Sequence, residues 1–307
     1  MVRNFLSLLD LTKDELLALL ARTEELKQEQ KQGKVYCPLI GKSIGLIFVK
    51  RSTRTRVSFM VGIYQLGAQA VNLDWDQMQV SRGESIKDTA RVLSRYLDGI
   101  VYRGNAQEEI EELARWSSVP VINALTDLYH PCQVLSDLFT IKEAGVDIER
   151  MKLVFIGDPN NVFNSWVNAC ALLGFELKLA CPSGYELNQS VVKQAEERGE
   201  LKLKVYNDPF QAVQSADIIY TDVWVSMGQE KEAKKRRKDF QGFQLNRRLV
   251  EETGKRTLIL HCLPAHRGEE ITEEVLENYA ELIFEQAENR LHSQKAILEF
   301  LIPGLPK

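Results

Sequence analysis

Between Ser52 and Arg56 the chain reads Ser-Thr-Arg-Thr-Arg, hydroxyls interleaved with guanidiniums, directly after the apolar run Ser43 to Val49. Hydroxyl donors and planar, permanently charged forks suit phosphate oxygens. Position adds to the case. Val57, Met60, Val61 and Tyr64 follow at helical spacing, with Gly67 placed as a stop, so the cluster falls at a helix N-terminus. Unpaired N–H groups and the positive end of the helix dipole favour an anion there. An ordinary Ser/Thr helix cap needs one hydroxyl; Arg51, Arg54 and Arg56 within six residues go beyond it.

Other chemistry-bearing residues also stand just after apolar runs. Arg103 follows Ile100-Val101-Tyr102, and His130 and Gln133 come a few residues after Val121-Ile122-Asn123. Asp158 and Asn161 follow Val154-Phe155-Ile156-Gly157, Asp222 follows Ile218 to Thr221, and His261-Cys262-Leu263-Pro264 follows Leu258-Ile259-Leu260. Singly, each has a plain explanation: a turn arginine, a histidine before a helix-opening proline, a helix cap, an inert buried thiol. Together an anion site, an imidazole, an amide, a carboxylate and a thiol at strand ends read as two half-sites across an interdomain cleft, since open parallel sheets bind ligands at the carboxyl ends of their strands.

The elements that must position them alternate along the chain. A helix from about Thr12 to Gln32 opens with Thr12 and Glu15 spaced as a capping box. Strands are expected at Ser43 to Val49, Ala70 to Leu73, Gly99 to Tyr102 and Val119 to Asn123, with helices at Ser85 to Leu97 and Gln133 to Ala144. After Gly145 a second series begins: Lys152 to Ile156, Glu176 to Ala180, Leu203 to Tyr206, Asp217 to Thr221, Thr257 to Leu260 and Leu282 to Phe284, before a last helix from about Glu288 to Leu301. This alternation predicts two doubly wound parallel-sheet α/β domains with the active site in the cleft between them. The expected boundaries are 1–145 and 146–290, with a C-terminal helix at about 291–307 packing back on the first domain.

Composition narrows the class. The 307 residues fit two domains, and 44% hydrophobic with 27% charged residues is ordinary for a globular protein. A net charge of −4 gives no reason to expect nucleic acid or an acidic membrane as partner. The basic run Lys234 to Lys238, flanked by Glu230, Glu232 and Asp239, reads as a solvated helix face. Five cysteines, with no CxxC pair and no histidines at zinc spacing, predict reduced thiols and no metal. The start lacks the apolar core of a signal peptide, so a cytoplasmic location is expected. One glycine in Gly157 to Val162 falls short of the dinucleotide fingerprint, and Gly41-Lys42-Ser43 enters a strand where a P-loop would open a helix.

The sequence resembles the aspartate/ornithine carbamoyltransferase superfamily through Ser52-Thr53-Arg54-Thr55-Arg56 and His130-Pro131-Cys132-Gln133. Within it, Asp222-Val223-Trp224-Val225-Ser226-Met227-Gly228 and His261-Cys262-Leu263-Pro264 are similar to the ornithine branch, supported by Arg82-Gly83-Glu84-Ser85 and Glu288-Asn289-Arg290-Leu291. The resemblance implies transfer of a carbamoyl group from carbamoyl phosphate to the δ-amine of L-ornithine, in arginine metabolism, with no metal or organic cofactor. It implies that Ser52, Thr53, Arg54, Thr55, Arg103 and Arg290 hold carbamoyl phosphate, and that Thr55, Arg103 and His130 donate to its carbonyl oxygen. Gln133 and the Leu263 carbonyl would take the carbamoyl NH2, and Asn161, Asp222, Ser226 and Met227 would read ornithine, with Cys262 beside the attacking amine. It also implies a homotrimer or higher multiple in which Gln79 reaches a neighbouring subunit, and a mobile lid from Ser226 to about Gly242. Met60 and Trp75 depart from the family pattern. The rival readings are another amine acceptor, putrescine or an N-acylated ornithine, and a non-catalytic anion-binding relative.

Overall fold

A computed structural model of the chain describes residues 2–226 and 228–304. Two compact units emerge: one takes the chain through Phe139 and again from Asn289, the other is Thr140–Glu288. The chain thus leaves the first unit inside one helix and re-enters it inside another.

In the first unit, α1 (Lys13–Lys31) starts at an N-cap Thr12 whose hydroxyl accepts from Glu15 N while Glu15 answers the Thr12 N–H, the reciprocal pattern read from the sequence. Strands β1 (Ser43–Phe48), β2 (Gln69–Asp74), β3 (Gly99–Arg103) and β4 (Val121–Leu125) alternate with α2 (Arg54–Gln65), α3 (Ile86–Leu93), α4 (Gln107–Trp116) and α5 (Pro131–Glu143). The strands are all parallel, in the order β2-β1-β3-β4. Strands β1, β3 and β4 bury nearly every residue, as sheets covered on both faces do. Ile47, Ile100 and Tyr102 pack against Ile110 and Leu113 of α4, with Trp75 set edge-on to Tyr102 at 6.4 Å. Trp75 therefore contributes to its own unit's core. The β3–β4 register slips by one between Tyr102 and Arg103, which pair with Asn123 and Leu125. An irregularity of this kind re-aims the side chain beside it, here Arg103.

The second unit carries β5 (Lys152–Ile156), β6 (Glu176–Ala180), β7 (Lys202–Tyr206), β8 (Ile218–Thr221) and β9 (Leu258–His261), parallel in the order β7-β6-β5-β8-β9. Between and after them run α6 (Asn161–Leu173), α7 (Gln189–Glu196), α8 (Pro209–Ala212), α9 (Ala233–Asp239), α10 (Arg247–Glu251) and α11 (Glu273–Asn278). One face of β5 packs Val154 and Ile156 with Ile219, Trp224 and Phe240; on the other, Phe155 stacks on Tyr220 at 5.4 Å and meets Phe163 edge-on. In both sheets the winding direction reverses once, between β1 and β3 and between β5 and β8. Ligands of open α/β sheets bind at these reversals.

Three expectations need correction. Leu282 to Phe284 is not a strand: α12 (Ala280–Leu301) runs through it without a break. Three apolar residues cannot by themselves separate strand from helix, and the Ala, Glu and Gln around them favour helix. The helix expected over Ser85 to Leu97 ends at Leu93. The basic run is not solvated throughout, because Arg236 on α9 is buried and pairs with Asp158 at 3.0 Å and Glu232 at 3.1 Å. Among the described residues no helix is long and apolar enough to cross a membrane.

Candidate active site

The link from β1 into α2 places Ser52 and Thr53 ahead of the helix and Arg54, Thr55 and Arg56 in its first turn. Thr53 is the N-cap, yet it has helical backbone angles and its side chain makes no capping hydrogen bond. Capping therefore does not account for the cluster, and the leading N–H groups of this twelve-residue helix can serve an anion.

The first unit's residues converge on Thr55, whose buried Oγ1 accepts from Arg290 Nη2 at 3.0 Å and from Arg103 Nη1 at 3.4 Å. Two cations held against one oxygen repel each other and are relieved by a bound anion. Arg290 Nη1 also donates to Gln133 Oε1, while Gln133 Nε2 donates to Asp137 Oδ1 at 2.8 Å, so both ends of the amide are oriented. His130, just before α5, is buried. Burial, followed by the charges of Arg290, Arg103 and Arg54, holds its imidazole well below the usual 6.5. At neutral pH it is an uncharged ring with one N–H to give. Arg54 is exposed along the chain surface but its charge is felt at His130, which assigns it to the same half-site. Beside Arg103, Gly104 is required by contact: a Cβ there would meet the Tyr102 ring at 2.3 Å. Gln79 lies exposed in the turn Gln79–Arg82, outside this hydrogen-bonded group.

In the second unit Asp222, just beyond β8, is the centre. Its carboxylate accepts from Asn160 Nδ2 at 2.7 Å, from Val223 N at 2.8 Å and from the Cys262 thiol at 3.0 Å. Asn160 also caps α6, its Oδ1 accepting from Val162 N and Phe163 N. The helix cap is thus Asn160, and Asn161 is the first helical residue. Ser226 donates its N–H to Gln229 Oε1 at 3.1 Å. Met227 lies outside the described residues. Leu263 has φ of +55° and a cis bond to Pro264, and its N–H donates to His261 Nδ1 at 2.9 Å.

Asp222, His261 and Cys262 offer donor atoms within 4.8 Å of one another. Metal ligation is disfavoured because both nitrogens of His261 are engaged, Nδ1 by Leu263 and Nε2 by Glu270 at 3.0 Å. None of the five cysteines is in a disulfide. Burial pushes Cys132 up to about 12 and Cys170 and Cys181 up to about 11, so these three are not nucleophiles. Asn160, Asp137 and Glu270 escape the motif reading. Only Asn160, next to Asn161 and after a strand, carried a usable signal.

Residues 3–143 match the family described as aspartate/ornithine carbamoyltransferase, carbamoyl-P binding domain, and residues 149–301 match the Asp/Orn binding domain of that family. An ornithine carbamoyltransferase of Geobacter sulfurreducens is 51% identical over 302 residues, 98% of this chain and 100% of that protein. One from Archaeoglobus fulgidus is 50% identical, covering 97% and 96%. Among solved structures, the anabolic ornithine carbamoyltransferase from Campylobacter jejuni is similar with a TM-score of 0.93 at 43% identity, covering 98% of this chain and 99% of that one. The enzyme from Pyrococcus furiosus gives 0.92 at 46%, covering 99% and 98%. With both half-sites built from the matching motifs and both halves of the chain matched, the chain belongs to the aspartate/ornithine carbamoyltransferase family.

Proposed function

We propose that this chain transfers the carbamoyl group of carbamoyl phosphate to the δ-amine of L-ornithine, giving L-citrulline and phosphate. The observation that carries the reading is the convergence of Arg103 and Arg290 on Thr55, with Gln133 and the uncharged His130 in the same half-site.

Ser52, Thr53, Arg54, Thr55, Arg103 and Arg290 hold the phosphate. As the amine's lone pair attacks the carbonyl carbon, negative charge builds on the carbonyl oxygen, and Thr55, Arg103 and His130 donate to it. Loss of one such donor raises the barrier by about 3 kcal/mol. The C–O bond to phosphate then breaks, phosphate departs with the electron pair, and the amine sheds its proton. Gln133 Oε1 and the Leu263 carbonyl accept from the carbamoyl NH2, which an acetyl group lacks.

Asp222 takes the α-ammonium of ornithine, with Asn161, Ser226 and Met227 reading the rest of the head group. Cys262, whose thiol donates to Asp222, orients the amine. An acceptor with an amino-acid head group is favoured over putrescine because Asp222 is joined by Asn161 and Ser226-Met227-Gly228, donors for an α-carboxylate that putrescine lacks. The segment from Ser226 to Gly242 is a lid, tethered through Arg236 to Asp158. The proposal extends to a homotrimer or higher multiple with Gln79 reaching a neighbour, supported by the exposed apolar face of α2, and to work in the cytoplasm in arginine metabolism, supported by five cysteines outside any disulfide.

The test is parallel incubation of the purified protein and carbamoyl phosphate with ornithine, putrescine, N-acetylornithine and aspartate. Citrulline from ornithine is expected; product from putrescine without product from ornithine would overturn the assignment.

A further inference from the structure

Both His261 and Glu270 are wholly buried in the second unit, and neither has a contact to substrate in the reading above. The imidazole is committed at both nitrogens. Nδ1 accepts the Leu263 N–H at 2.9 Å, so it carries no proton; the ring proton therefore sits on Nε2 and is donated to Glu270 Oε1 at 3.0 Å. The same Glu270 oxygen accepts the His266 N–H at 2.6 Å, while Oε2 has no hydrogen-bond partner among the described residues. A carboxylate with no exposure and one oxygen unsatisfied is expensive to keep. What it supports is unusual in turn, since Leu263 bears a side chain in the left-handed region, where branched residues are disfavoured. A third contact, His261 N to Gln286 Oε1 at 3.0 Å, anchors the backbone from which the ring projects.

We propose that Glu270 and His261 are positioning residues for carbamoyl transfer. Glu270 fixes the tautomer and the orientation of the imidazole, the imidazole fixes the Leu263 N–H, and the Leu263 carbonyl and the Cys262 thiol on either side of that peptide are held in place. A buried partner that sets the tautomer of a histidine by taking its other N–H is an established device for aiming a functional group. The inference rests on the functional reading above, because it names the Leu263 carbonyl and Cys262 as the groups that matter.

The experiment pairs spectroscopy with kinetics on the full chain. The protein has four histidines, so 15N-histidine spectra are simple enough to assign by substitution. Wild type should show one ring with a bare Nδ1 and a protonated Nε2, a pattern that Glu270→Ala loses. Glu270→Ala should lower kcat roughly 10- to 100-fold, while inorganic phosphate binds by calorimetry as in wild type, since that anion is held by the other unit. Glu270→Gln, which keeps a carbonyl for the Nε2–H, should recover activity to within about threefold of wild type. A His261 ring protonated on Nδ1 would overturn the proposal, as would a folded Glu270→Ala with near-normal turnover or phosphate binding lost in step with activity. Should Glu270→Ala fail to fold, the wild-type spectrum and Glu270→Gln decide. Wild type that makes no citrulline would instead sink the functional reading, leaving the ring's tautomer still measurable.

Discussion

His130 is an uncharged imidazole facing three cations, and this has a consequence for stability. In the unfolded chain it takes a proton near pH 6.5; in the folded chain burial and Arg290, Arg103 and Arg54 keep the proton off until far lower pH. Below about pH 6.5 the unfolded state therefore binds more protons, so the contribution is complete above that pH and is lost as the pH falls. Unfolding free energies from urea titrations in phosphate-free buffer should fall below about pH 6.5, with up to about 1.4 kcal/mol per pH unit from this group. His130→Gln should flatten that slope; an equal slope in the variant would show that other groups titrate. Thr55, Arg103 and Gln133 were legible as residues because each follows an apolar run and has a type suited to anions or amides. Asp137 was not, since a buried acid inside a helix gives no local sign that it orients a glutamine one turn back. Glu270 is hidden for the same reason: its partner His261 lies nine residues away through a loop whose course only the fold reveals.

At the level of elements, Asn160 joins structure to chemistry by capping α6 with one side-chain atom and holding Asp222 with the other. Asn160→Ala should cost about 1 kcal/mol through the cap, and should also raise the KM for ornithine while leaving that for carbamoyl phosphate unchanged. Denaturation and steady-state kinetics read the two effects separately; an unaltered ornithine KM would show that Asp222 needs no such support. The sequence pattern located the strands of both sheets to within a residue or two, because buried parallel strands are short apolar runs between polar ends. It failed at Leu282 to Phe284, where a run of the same kind belongs to α12. Between Asn160 and Asn161 the types are identical, and only backbone angles decide which is the cap.

For the whole molecule, the prominent surface feature is on α2: Val57, Val61 and Tyr64, spaced four and three apart on one face, are 52%, 38% and 78% exposed. An apolar stripe on the helix that begins with Arg54 suits burial against another copy of the chain. Light scattering should give three times 35.1 kDa or a multiple of that, and Tyr64→Glu should shift the protein toward monomers; a wild-type monomer would refute the assembly. The discontinuity of the first unit has another outcome, one of timing. The arginines proposed to hold the anion come from three places, and Arg290 arrives only with the chain's return at Asn289. During synthesis every strand of that sheet has left the ribosome long before the last cation has been made. The early fold waits, complete in its sheet and incomplete in its charge, and the proposed grip on phosphate cannot form before Arg290 is made.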